Sequence, residues 1–197
     1  MPPYRPLRLL GASLALPLVA CGNGTPPPSP ESEAASPAMA DHGPLAAAPG
    51  ADALAADFID PSGARIGTAF ATPGPNGMVI RVDLEGLTQG FHAIHAHQVG
   101  DCSDPDAGFQ ASGGHINPAG VPHGFLNATG RSEADMPNIY AHGTGHLRAE
   151  LFAEGLTADL GLDDDGFALI VHENPDDHET QPIGGAGGRV ACAAFTN

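Results

Sequence analysis

The chain has no lysine and no tryptophan among its 197 residues. All seven of its cationic side chains are arginine, set against 23 acidic residues, and the formal net charge is −16. A surface so poor in positive charge excludes the phosphate-neutralising patches that nucleic-acid binding requires. Aromatic residues make up only 5%. Long apolar runs are also missing. The best candidate, at 9–18, is too short to span a bilayer as a helix. Cysteine is scarce too: Cys21, Cys102 and Cys192 are the whole supply. An odd count in a secreted type of chain leaves one thiol to be accounted for.

The N-terminus accounts for it. Arg5 and Arg8 precede the apolar stretch, and small residues follow, which is the form of a secretory signal. Leu18-Val19-Ala20-Cys21 resembles a bacterial lipobox. The expectation is a lipoprotein-type signal peptide over 1–20, with Cys21 lipid-modified and the protein anchored to a membrane of the bacterial cell envelope, periplasmic or at the cell surface. Residues 21–50 are dominated by Pro, Ala, Ser and Gly, include Pro26-Pro27-Pro28, and carry no apolar periodicity. They read as an extended tether. Residues 51–197 are then one domain.

That domain reads as all-β. Eight short strands are expected at 55–60, 64–71, 78–84, 88–99, 138–142, 146–153, 167–172 and 190–195, punctuated by Gly and Pro. Histidine is abundant, with ten in the chain. His95 and His97 are two apart in a strand, so both project from one face and can grip one metal ion. His92, an odd number of positions away, points to the other face and reads as structural. His115 and His123 lie in a loop marked by Gly113-Gly114 and Asn117-Pro118. Asp135 follows. The apolar run Phe167-Ala168-Leu169-Ile170-Val171 delivers His172 at its end, before Glu173-Asn174-Pro175-Asp176-Asp177. Gly184-Gly185-Ala186-Gly187-Gly188 reads as a flexible loop leading through Arg189 to a last strand with Cys192. His42, His142, His146 and His178 read as linker or surface histidines.

Taken together, these motifs resemble the copper/zinc superoxide dismutase family over 51–197. The matching pieces are Gly90-Phe91-His92 with His95, His97 and Gly100-Asp101, then Gly114-His115-Ile116-Asn117-Pro118 with His123, then Val171-His172-Glu173 with Asp176-Asp177, then Gly188-Arg189-Val190-Ala191-Cys192. The resemblance implies an eight-stranded Greek-key β-sandwich or barrel with long metal-bearing and substrate-guiding loops. It implies copper ligands His95, His97, His115 and His172, with His115 bridging to zinc and His123 and Asp135 as zinc ligands. Asp176 would join a copper ligand to a zinc ligand, Arg189 would receive superoxide, and Cys102 would pair with Cys192. Arg189 and His115 are the catalytic candidates.

One position departs from the family. A third zinc histidine is expected three residues before the aspartate, and Ser132 stands there. A serine hydroxyl is a poor zinc ligand. Zinc is therefore expected to bind weakly, completed by water or Glu133, or to be absent. The function implied is superoxide dismutation by Cu(II)/Cu(I) cycling. The alternative is a non-catalytic periplasmic copper-binding or copper-delivery lipoprotein on the same fold.

Overall fold

The computed structural model describes residues 52–196. The expected signal segment, Cys21 and the tether lie outside the described residues. The fold is mostly β, and nine strands are present among the described residues. They are β1 (Leu54–Ile59), β2 (Arg65–Gly74), β3 (Gly77–Leu84), β4 (Gly90–His92), β5 (Ile94–His97), β6 (Ile139–Ala141), β7 (Leu147–Glu154), β8 (Phe167–His172) and β9 (Arg189–Phe195). One short helical turn, α1 (Ala158–Gly161), links β7 to β8.

Local chemistry sets the turns. Between β1 and β2 the Asp60 carboxylate accepts the backbone N–H groups of Ser62 and Ala64, which nucleates the reversal. β2 and β3 are joined by Pro75-Asn76, closed by the Gly74–Gly77 pair. β3 alternates as a strand with one buried face must: Met78, Ile80, Val82 and Leu84 are fully buried. β8 does not alternate, because all six of its residues are buried. It is covered on both faces, which is why it reads as an unbroken apolar run.

Seven strands form one curled sheet in the order β5-β8-β9-β1-β2-β3-β7, and every pairing is antiparallel. A two-stranded sheet, β4-β6, completes the set. Because β4 runs into β5 and β6 runs into β7, the small sheet joins the two edges of the large one. The core fills the inside of the curl with Phe58, Ile80, Leu84, Ile94, Leu147, Leu169 and their neighbours. Phe167 and Phe195, paired across β8 and β9, stack at 4.7 Å.

Two expectations need adjustment. The single strand at 88–99 is two strands, because Ala93 leaves the ladder. Its N–H bonds Asn174 and its carbonyl accepts from His172. The glycine-rich run before β9 is not a loose loop either. It is laced back onto 173–177 through Glu173 N–H to Gly188, Asn174 N–H to Ala186 and Asp177 N–H to Gly184, with Ala186 fully buried.

Candidate metal centre

Strand parity assembles half of the site. On β5 the side chains of Ile94 and Ala96 enter the core, so His95 and His97 project to the outer face. On β8 the register pairs His95 with Ile170 and His97 with Ala168. Ala168 and Ile170 share that outer face, and His172 follows two residues on. A bulge between Val171 and His172 brings Arg189 of β9 opposite His172. Phe109 and Cys192 cover Ala168 and Ile170 from outside, in a small second core. Cys192 is disulfide-bonded to Cys102, with Cα atoms 5.9 Å apart. The bond ties the loop after β5 to the last strand.

The other half is carried by loops zipped onto the free edge of β5. Ala96 donates to Ala134 and accepts from Ile116, while Gln98 donates to Gly114. Isolated bridges pair His95 with Asp135 and His97 with His115. Edge hydrogen bonding therefore delivers His115 and Asp135 to the same patch as the strand histidines.

The ring nitrogens show what the cluster is built for. His95 Nε2–H donates to Asp176 Oδ2 at 2.9 Å, and His97 Nδ1–H donates to the Gly113 carbonyl at 2.9 Å. His172 Nδ1–H reaches the Gly187 carbonyl at 3.3 Å. In each ring the opposite nitrogen is buried without a partner: His95 Nδ1, His97 Nε2 and His172 Nε2. Both nitrogens of His115 lack partners. Buried polar atoms are normally satisfied. Anchoring one imidazole nitrogen and leaving the other bare is the arrangement that orients a metal ligand. His95, His115 and His172 offer nitrogens within 4.8 Å of one another. His97 stands slightly further out, its ring 5.1 Å from His115 and 6.0 Å from His172. Four imidazole donors suit a tetragonal Cu(II) ion.

A second group adjoins the first, with one donor each of His95, His123 and Asp135 within 4.8 Å of the others. Asp135 Oδ2 is saturated by the backbone N–H groups of Gly124 and Ser132. Its Oδ1 is left to face His123 Nδ1 at 2.6 Å and His115 Nδ1 at 3.7 Å. His115 therefore turns Nδ1 toward this group, while its ring also belongs to the first. Asp176 links the two groups, with Oδ2 on His95 and Oδ1 on His123 Nε2 at 3.0 Å.

Electrostatics follow from this packing. Burial, reinforced by His115, drives the His97 imidazole down to about 2. Burial also drives His115 and His172 down to about 3. All three are neutral, as ligands need to be. Burial opposes the charge on His123, but its bonds to Asp135 and Asp176 outweigh that and raise it to about 9. Burial likewise disfavours the Asp176 carboxylate. The hydrogen bonds from His123 and His95 overcome it and hold the group well below the usual carboxylate range.

Arg189 flanks the cluster. It donates to the carbonyls of Phe109 and Gly113 and to Ser112 Oγ. The Gly113 carbonyl thus holds both Arg189 and His97. A cavity of about 540 Å³ opens over His97, His115, His123, Ser132 and Arg189. No motif in the sequence singles out Asn138, Gln181 or Gly184. Asn138 clamps the backbone of Asp176 from both sides, at 2.8 Å each. Gln181 does the same for His123. Gly184 lies against the Asp176 carboxylate with φ +63°.

The chain resembles known proteins over this whole region. The copper/zinc superoxide dismutase family profile matches residues 66–195. A Cu-Zn superoxide dismutase of Caulobacter vibrioides is 43% identical over 136 residues, which is 66% of this chain and 77% of that protein. One from Aquifex aeolicus is 36% identical over 146 residues, 71% of this chain and 84% of that protein. Among solved structures, a SOD-like protein from Bacillus subtilis superposes with a TM-score of 0.67 at 29% identity, covering 71% of this chain and 96% of the other.

Proposed function

The chain belongs to the copper/zinc superoxide dismutase family, and on that footing we propose that it dismutes superoxide, with His95, His97, His115 and His172 holding copper. The observation that carries the proposal is the set of bare nitrogens on four converging imidazoles beside an arginine anchored to the same carbonyl as one of them. When bound, copper supplies one-electron exchange, so that one superoxide leaves as dioxygen and a second, with two protons, leaves as hydrogen peroxide.

The chain's own residues supply the rest. Arg189 carries a permanent charge and a planar fork of donors suited to a small oxyanion. Its NH1 and NH2 groups are fixed by Phe109, Ser112 and Gly113, so the guanidinium is pre-set beside His97 and costs little to order. Asp176 keeps the proton of His95 on Nε2 and leaves Nδ1 to the metal. His115 Nε2 faces the copper ligands and is the atom placed to hand a proton to the departing peroxide. His123 and Asp135, with His115, form the zinc subsite. On the same reading the enzyme works in the cell envelope, held by an acylated Cys21 on a tether of residues 21–50.

The test is Arg189→Ala in copper-reconstituted protein. Copper content should be unchanged, and the dismutation rate should fall by about tenfold or more, the scale of electrostatic guidance at a charged site. A full rate in the variant, or no dismutation by the copper-loaded parent, would transfer the reading to a copper-binding or copper-delivery protein.

A further inference from the structure

The two subsites are completed to different degrees. His95, His97 and His172 each have one nitrogen tied and one bare, and His115 has both bare. The second group offers His123 Nδ1 and Asp135 Oδ1, with His115 Nδ1 3.7 Å from that oxygen, and beside it, bonded through its N–H to Asp135, stands Ser132. That side chain is 1% exposed and its hydroxyl has no hydrogen-bond partner. Leaving a buried hydroxyl unpaired is costly, so its persistence here points to a partner supplied from outside the chain. The residue is fixed in place, because its N–H donates to Asp135 Oδ2 at 2.9 Å. Ser132 also lines the same cavity as His115 and His123, and the rim of that cavity carries the exposed Gly114, Gln181 and Pro182.

Glu133 does not fill the gap. It lines a separate cavity with Arg131, Phe152 and Gly155, and its Cγ lies 3.0 Å from where a Gly155 side chain would begin. A neutral hydroxyl does not replace a histidine as a zinc ligand. Three protein donors with the fourth direction open to a solvent-reached cavity is the pattern of an exchange-competent zinc ion and not of a closed structural one.

We propose that the divalent ion held by His115, His123 and Asp135 keeps an exchangeable fourth position over Ser132, filled by water bonded to Ser132 Oγ and open to small anionic or thiolate ligands. This inference rests on reading the paired clusters as copper and zinc subsites. Its consequence is a second ligand-binding position, on the opposite side of His115 from the copper.

Cobalt(II) in the zinc subsite reports that position directly. The full chain is loaded with copper and cobalt and reduced with ascorbate, so that copper is Cu(I) and silent in the visible. Titration with thiocyanate should then shift the cobalt d–d bands saturably. In Ser132→His the shift should vanish, and zinc affinity should rise by about tenfold or more, since even outer hydrogen-bond partners of ligands carry that much. Ser132→Cys should add a thiolate-to-cobalt charge-transfer band, which checks ligand reach without the bulk of a new ring. Failure to retain one cobalt per chain, bands indifferent to thiocyanate, or an equal shift in Ser132→His would each overturn the proposal. Dismutation measured in parallel separates the two readings. An inactive protein that shows the cobalt response refutes the dismutase and keeps the open position, and the reverse result does the opposite.

Discussion

A single glycine shows how closely this centre is built. Gly184 adopts φ +63°, and a Cβ placed there would lie 1.6 Å from Asp176 Oδ1 and 2.9 Å from His123 Nε2. Gly184→Ala must therefore push Asp176 off both His95 and His123. Loss of such an outer partner costs about 10–100-fold in metal affinity, and we expect that loss in a chelator competition assay. An affinity within twofold of the parent would show that the carboxylate has room to relax. His95 and His97 were legible from the sequence because a two-residue period is a local rule. Asp176 was legible only through the family motif, since its partners lie 81 and 53 residues away. Asn138, Gln181 and Gly184 were not legible at all. Their work is done through backbone clamps and close approach, and composition carries no trace of either.

At the scale of elements, the strand expected at 78–84 and the unbroken apolar run at 167–171 correspond to β3 and β8. The reading failed at 88–99, where a tertiary hydrogen bond at Ala93 breaks a locally plausible strand in two. It failed again at 184–188, where glycines that looked like slack serve as close-packed backbone. The Cys102–Cys192 bond joins two elements 90 residues apart. In the chain-entropy account, closing a loop of that length stabilises by about 4–5 kcal/mol. Cys102→Ala with Cys192→Ala should lower the unfolding free energy by about that amount in urea titrations. Because Cys192 shares a row with His95 and Ile170, metal affinity should fall as well. Unchanged stability would mean that the second core around Phe109 holds the loop alone.

At the scale of the whole molecule, charge is the governing quantity. Among the described residues, Arg65, Arg81, Arg131 and Arg148 are each paired with a carboxylate, on Asp57, Glu150, Glu154 and Asp83 respectively. Arg189 alone is held by carbonyls and a hydroxyl, with the charge of Asp104 acting on it only through space. The histidines also set a pH response for the chelated protein. His97, His115 and His172 are neutral in the folded state down to about pH 2–3, whereas in the unfolded chain they take up protons below about 6.5. The unfolded state then binds more protons, so stability falls as pH drops below about 6.5. His123 acts in the other direction. Its contribution is full below 6.5 and is lost as pH rises through about 9. The urea midpoint of chelated protein should therefore peak near neutrality and decline on both sides, and a midpoint that climbs steadily toward acid would contradict the burial of these rings. The charge balance, unlike the site, was legible from composition alone. One last consequence lies in the edge of β5. That strand ends the large sheet, and among the described residues the loops carrying His115 and Asp135 cover its free side, through Ala96 and Gln98. An uncovered edge strand is a template for another chain. The loops that carry the candidate ligands are thus also the guard of that edge, and a substitution that frees them would leave β5 open to a neighbouring copy.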